Sequence, residues 1–371
     1  MRYIECQLPA FPINEDMWDK LQKETRPIVV YGMGNGADKL IDRFDKYGIS
    51  VSDFFASDGF VRGHTFHGMR VKSFSEIKET YPEFVIVLSF ASNRADVLEM
   101  LETIDREYEM YVPDMPVAGE EYFDREFYNA HYGEITEAYS HFSDIDSKNA
   151  YANVINYKLT GKMSYLNNAY STKDELYSEI ASTPIRNYVD AGAYNGDTAK
   201  EAIAYFPELE SIVAIEPDPK NFKKLIKFAD TVEKPEIRTV NAAVWKGNGD
   251  GEFSSSGNRN SSISSTTSYQ HKDTDVSLIS VDSLGLSPDF IKYDVEGAEL
   301  EALLGTDETI RMSRPTLLVS LYHRSRDIFD IPNFLARKYP FYRMTLRRLK
   351  CLPAWEIDLL LFDMEKAQSE L

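Results

Sequence analysis

Two cysteines in 371 residues, Cys6 and Cys351, are too few and too far apart for a disulfide framework or a thiolate metal site. That shortage fits a reducing compartment, and a cytoplasmic protein is the expectation. No uninterrupted apolar run approaches the roughly 20 residues of a membrane span. Residues 1–12 carry neither the basic start nor the apolar stretch of a signal peptide. Positive charge is scarce as well: 41 Lys and Arg against 60 Asp and Glu leave a net charge of −19, which argues against generic binding to nucleic acid or an anionic membrane. The cations are also uneven, with ten Lys or Arg against two acids between Arg311 and Lys350. With 43% hydrophobic residues the chain has enough apolar side chain to fold, and its length suggests two domains.

The pattern along the chain divides it in three. Residues 1–115 alternate strand-like runs (28–31, 51–56, 84–89) with helix-like ones (38–47, 94–104), and glycines follow the first strand: a small Rossmann-like parallel-sheet domain. Residues 116–182 are rich in Tyr, Asn, Asp and Ser and have weak helical periodicity at 135–142 and 151–159, with Gly161 as a stop; they read as a helical linker. In residues 183–371 seven strand candidates return, at 187–190, 211–215, 237–240, 290–293, 316–321, 342–346 and 356–362. The last two have no helix between them, so the sheet should be mostly parallel with one reversed pairing. Residues 254–268, ten of them Ser or Thr, fit either a flexible linker or a flap over a site.

The third segment holds the strongest chemical signal. An apolar run enters the turn Asp190-Ala191-Gly192-Ala193-Tyr194-Asn195-Gly196-Asp197-Thr198, and a helix-like run leaves it. Glycines there let a ligand approach the backbone. Glu216, at the tip of the next strand, is placed to accept ribose hydroxyls. The turn has no Lys, and Asp190 would repel phosphate, so an uncharged or cationic nucleoside such as S-adenosylmethionine is favoured over a dinucleotide. A later strand delivers Asp294 and Glu296 to the same crevice, and another ends in Tyr322-His323. Transfer to a hydroxyl needs alignment and a base, for which Asp294 and His323 are the candidates, with Glu296 beside the acceptor. The spacing of these acids is not diagnostic of a metal, and none is assigned. Arg324, Arg326, Arg343, Arg347 and Arg348 of the basic segment could clamp an acceptor anion, with Arg324 and Arg343 the leading pair.

These motifs, with Ile215-Glu216-Pro217, Asn241-Ala242-Ala243-Val244, Val281-Asp282-Ser283-Leu284 and Ile291-Lys292-Tyr293-Asp294-Val295-Glu296-Gly297-Ala298-Glu299, resemble the FkbM family of S-adenosylmethionine-dependent methyltransferases. The resemblance implies a class I, seven-stranded methyltransferase fold that methylates hydroxyls, often of sugars. It places Asp190, Gly192 and Gly196, with Asn195 and Asp197 of the same turn, along the methionine part of the cofactor. Glu216 falls on the ribose, and Asn241 and Ala242 border the adenine. The run Ser320-Leu321-Tyr322-His323 is similar to a subgroup with a preceding nucleotide-binding-like domain, and it lacks the acid many members place before the histidine. The aromatic Asn/Asp-Pro-Pro motif of amino-methylating enzymes is missing, as is a Pro-Cys nucleophile.

The first domain contains Gly32-x-Gly34-x-x-Ala37, with Asp58 beyond it, a weak dinucleotide fingerprint. With Gly68-Met69-Arg70-Val71-Lys72-Ser73 it resembles domains that bind nucleotide sugars. The leading expectation is O-methylation of a sugar, nucleotide sugar or glycan. A non-catalytic module binding S-adenosylmethionine or a nucleotide sugar, and a nicotinamide-dependent oxidoreductase, are the alternatives. A homo-oligomer stays open.

Overall fold

The computed structural model describes residues 6–254, 262–263 and 273–365. Most of the Ser/Thr-rich stretch at 254–268 therefore lies outside the described residues. Two sheets organise the molecule. In the first, β1 (Ile28–Tyr31), β2 (Asp53–Ala56), β3 (Lys72–Ser73), β4 (Val85–Leu88) and β5 (Met110–Tyr111) are ordered β3-β2-β1-β4-β5, every pair parallel. Strands β1, β2 and β4 are buried along their whole length, as parallel strands covered on both faces must be. The chain reverses its direction of travel between β1 and β4. There the helix Asn35–Tyr47 starts at Gly34 and turns Ala37, Leu40 and Phe44 inward.

The second sheet contains β6 (Asn187–Ala191), β7 (Ser211–Ile215), β8 (Glu236–Val240), β9 (Phe290–Tyr293), β10 (Thr316–Ser320), β11 (Tyr342–Arg348) and β12 (Ile357–Asp363). Their order is β8-β7-β6-β9-β10-β12-β11, with β12 antiparallel to both neighbours. All seven expected strands are present, but β12 makes two reversed pairings, with β10 as well as with β11, where one was expected. A further four-stranded sheet (Ala243–Val244, Gly249–Ser254, Ser262–Ile263, Asp273–Ile279) had no counterpart in the sequence reading. Two of its strands are two residues long and another is half Gly and Asp, too little for a period-2 signal.

Between the sheets lie the helices Arg125–Ala130, Tyr132–His141, Ile145–Thr160, Met163–Asn168 and Lys173–Ile180. The longest, Ile145–Thr160, is buried on nearly every side, which explains its weak amphipathic signal. Asp144 caps it by accepting from the Ser147 backbone N–H at 2.8 Å and hydroxyl at 2.6 Å. Ser147 Oγ in turn accepts from Leu346 N of β11, and the buried Lys158 ammonium pairs with Asp114.

The two sheets share one apolar core that runs from Val29 and Ile86 through Tyr151 and Ile155 to Val319 and Leu361. Main-chain bonds cross the same boundary: Ser92 and Leu352 exchange both N–H groups, at 2.7 and 2.9 Å, and Ala118 N donates to His323 O at 2.8 Å. Arg348, expected as an anion clamp, is fully buried and donates to the carbonyls of Leu166, Ala169, Leu349 and Cys351. It ties the linker helices to the end of β11. Arg348→Met should therefore destabilise the whole chain by about 3 kcal/mol, because buried carbonyls lose their donors. Urea denaturation followed by circular dichroism measures this, and an unchanged midpoint would show that the carbonyls find other partners.

Candidate functional site

Parallel strands of an open sheet end together, and a ligand crevice forms beyond their carboxyl ends where the strand order reverses. In the second sheet that place is between β6 and β9. A cavity of about 430 Å³ opens there, lined by the ends of β6, β7, β9, β10 and β12, by linker residues Tyr170, Ser171, Thr172 and Lys173, and by Asn93 and Val117.

Gly192 makes the junction possible. Its φ is +87°, and a Cβ on it would stand 1.9 Å from the Asp294 carbonyl oxygen. The β6 turn and the β9 tip therefore touch through main chain alone. Tyr194 follows at φ 49°, a left-handed conformation rare outside Gly, and Glu296 adopts φ 54° across the cavity. Both side chains line the cavity. Such backbone strain is typically held at functional positions by the structure around it.

Glu216, 6% exposed, accepts from Tyr194 N at 2.9 Å and Asp218 N at 2.8 Å. Burial pushes its carboxyl up to about 7 against those hydrogen bonds. Asn241 stays outside the cavity and donates to the Glu216 and Pro217 carbonyls at 2.8 and 3.1 Å, fixing the turn that presents Glu216. Ala242, Gly192 and Asp197 line the cavity itself. Asn195 and Gly196 do not appear in its wall.

Asp190 also departs from expectation. It is completely buried and accepts from the Thr198 hydroxyl at 2.5 Å, and its cross-strand partner is Lys292. It sits beneath the ligand space rather than in it, with burial raising its carboxyl and Lys292 and Thr198 opposing that rise.

At the β9 tip, Asp294 faces Lys292 Nζ at 3.1 Å, the Tyr322 hydroxyl at 3.1 Å and His323 Nε2 at 3.3 Å. Burial alone would raise its carboxyl, but Lys292 and His323 overcome this and hold it far below the usual carboxylate range. His323 has no exposed surface and lies behind the cavity wall. Its Nδ1 is 2.9 Å from Glu299 Oε1, and its Nε2 is 3.5 Å from Glu296 Oε2. Burial disfavours the imidazolium, yet Glu299, Asp294 and Glu296 together raise its pKa well above the ordinary value. Glu296 lines the cavity, and burial pushes its carboxyl up to about 8 against the pull of His323.

The acceptor-clamp arginines are dispersed. Arg343 is exposed near the start of β11, opposite Phe362, at the amino ends of the parallel strands and so away from the crevice. Arg347 pairs with Glu179, and Arg326 with Asp330. Arg324 packs against Gly297 beside the Glu296 loop, outside the cavity wall. Asp58 of the first domain accepts from the Ser75 backbone N–H and hydroxyl instead of facing the glycine turn. The sequence reading passed over Lys292, Tyr194, Tyr322, Trp355 and Asp358. For Lys292 a signal existed: residues 292 and 294 alternate onto one face of a strand.

Seven carboxylates (Asp197, Glu201, Glu216, Asp294, Glu296, Glu356, Asp358) and three lysines (Lys173, Lys292, Lys350) line the cavity. This lining suits a cation better than a phosphate. An open sheet in this strand order, with a carboxylate at the β7 tip and an acidic crevice at the β6 turn, defines a methyltransferase-type fold. Residues 190–348 match the family model described as the methyltransferase FkbM domain. The structure is similar to that of methyltransferase FkbM from Methylobacillus flagellatus KT, with a TM-score of 0.69 and 18% identity, over 96% of this chain and 95% of that one. Precorrin-6y C5,15-methyltransferase from Geobacter metallireducens GS-15 (TM-score 0.33, 11% identity) covers 53% of this chain and 93% of its own. SMU.1697c from Streptococcus mutans, solved in complex with SAH (TM-score 0.34, 10% identity), covers 52% of this chain and 99% of its own. No curated protein matches the sequence. Among the described residues no helix is long and apolar enough to cross a membrane, and no group of three or more His, Cys, Asp or Glu is arranged to hold a metal.

Two outcomes follow. Gly192→Ala must move the β9 tip, costing about 2 kcal/mol or more; a urea midpoint equal to the parent's would mean that the contact relaxes freely. Glu216 and Glu296 titrate higher folded than unfolded, so the native state binds more protons between about pH 4.5 and 8 and stability falls as pH rises through that window. The raised His323 extends the same trend above its unfolded value of about 6.5. Thermal midpoints measured from pH 5 to 8.5 should fall in the parent and fall less in Glu296→Gln.

Proposed function

We propose that the protein is an S-adenosylmethionine-dependent O-methyltransferase acting on a hydroxyl of a sugar, nucleotide sugar or glycan. In this reading residues 183–371 form the transfer domain, residues 1–115 a substrate-side domain, and residues 116–182 the helical connection. The observation that carries it is the Glu296 carboxyl, strained in backbone, facing an acidic cavity and pushed up to about 8 by burial. A base works best when its pKa lies near the operating pH. Asp294 is too acidic to take a proton well, and His323 is already protonated and walled off. Glu296 is therefore the base, and Asp294 with His323 positions it.

The cavity's residues fit the cofactor. Glu216 is a buried carboxylate at the β7 tip that could accept ribose hydroxyls, Gly192 clears the turn, and Ala242 leaves a small apolar wall for a base. When bound, S-adenosylmethionine supplies a methyl carbon on a positively charged sulfur. Glu296 would take the acceptor's hydroxyl proton, leaving that oxygen free to accept the methyl group that the bound cofactor would supply. Glu299 keeps His323 charged, so the proton moves to Glu296 and no further. On the acceptor side, Tyr170 and Trp355 offer ring faces, with Asn93 and Ser171 as polar partners, a mixture that suits the alternating apolar and hydroxyl surfaces of a sugar.

Labelled-methyl transfer to a panel of sugars, sugar phosphates and nucleotide sugars tests the reading. Glu296→Gln should lower turnover by about 10²–10⁴-fold while cofactor affinity holds. Glu216→Ala should weaken cofactor binding about tenfold or more through the lost ribose hydrogen bonds. Parent-level turnover in Glu296→Gln would remove the base assignment, and cofactor binding without transfer to any hydroxyl would sink the function.

A further inference from the structure

A second cavity, of about 280 Å³, lies in the first sheet's crevice, beyond the carboxyl ends of β1 and β4 where the strand order reverses. Its floor is the glycine turn. A Cβ on Gly36 would stand 2.1 Å from the Ser89 carbonyl oxygen, so the turn and the end of β4 close on each other through main chain, whereas Gly34 faces open space. Two residues, Val117 and Trp355, line both this cavity and the methyl-transfer cavity. The two spaces therefore meet at these side chains, Val117 from the linker and Trp355 from the β11–β12 connection.

Their charges are opposite. The first is dominated by carboxylates; among the described residues lining the second, the one ionisable group is Lys39. Lys39 is half-buried and donates to the Pro116 carbonyl at 3.4 Å, and no carboxylate stands within ion-pair distance of it among the described residues. Burial lowers its pKa, with Glu120 opposing. Trp355 adds an independent sign: its indole nitrogen is shut off from solvent and has no hydrogen-bond partner. Buried indole N–H groups ordinarily find an acceptor.

We infer that the two cavities are the halves of one acceptor site, which takes a phosphorylated hydroxyl compound with its hydroxyl in the first cavity and its phosphate in the second. This rests on the methyl-transfer reading for the first half only. The acidic first cavity repels a phosphate, and the second, with an unneutralised lysine, accepts it. A ligand oxygen passing the Val117–Trp355 wall gives the indole N–H its acceptor.

Calorimetric titration of the full chain with glucose, glucose 1-phosphate and UDP-glucose tests this without relying on turnover. At least one phosphorylated probe should bind about tenfold or more tightly than glucose, and Lys39→Ala should remove about that factor. Gly34→Phe, which fills open space at an ordinary backbone angle, should block the same probe while S-adenosylmethionine affinity holds. Preference for glucose 1-phosphate or for UDP-glucose separates a simple sugar phosphate from a nucleotide-linked acceptor. The inference falls if no phosphorylated probe binds better than glucose, or if both variants bind it as the parent does. Probe binding without methyl transfer would overturn the proposed function and leave the second cavity's role standing.

Discussion

A lysine ammonium buried inside a sheet organises the C-terminal half of this molecule. Lys292 lies on the central strand β9, 7% exposed, with Asp190 as its partner across β6 and Asp294 beyond its own strand tip. A charge taken out of water at that depth is tolerable only if opposite charges hold it. Here two do, and each is thereby committed. Asp190 is drawn under the cavity and fastens the start of the following helix through Thr198. Asp294 is kept ionised, which helps keep His323 charged, and His323 sits against Glu296. The state of Glu296, which lines the cavity, is thus tied to Lys292 through Asp294 and His323.

Much of this could be read from the chain. Parallel strands announced themselves as short apolar runs, and a buried strand such as Ile28–Tyr31 has no other plausible place. The crevice was legible because strand tips collect where the order reverses, so Glu216, Asp294 and Glu296 fell on one side of one sheet. Depth was not legible. Asp190 and Glu216 look alike in sequence, yet one is sealed below the ligand space and the other opens to it, because Lys292 claims the first and backbone N–H groups present the second. The arginines failed for a related reason. A cluster in sequence along β11 alternates between faces and ends of a strand, so Arg343, Arg347 and Arg348 reach three unrelated places. His323 was found, but its protonation state depends on a contact with Glu299 that only the folded chain brings about.

The helix Ile145–Thr160 and the shared apolar core bear on how the molecule is partitioned. Cores that run unbroken between two sheets unfold together, and a helix buried on nearly all sides has no solvent face with which to stand alone. The N-terminal sheet is therefore a wall of the C-terminal half more than an attachment to it, meeting it at Ser92 and, through the linker, at Val117 and Ala118.

The Ser92–Leu352 pairing sets a limit on recombination. The β11–β12 connection that carries Trp355 is chemically part of the C-terminal sheet, but its backbone is clamped to the N-terminal one. A graft that exchanged only the first hundred or so residues for those of another protein would leave this connection facing a foreign surface. The smallest exchangeable cassette is discontinuous: the N-terminal sheet, the linker helices and the short connection 349–356, inherited together or not at all.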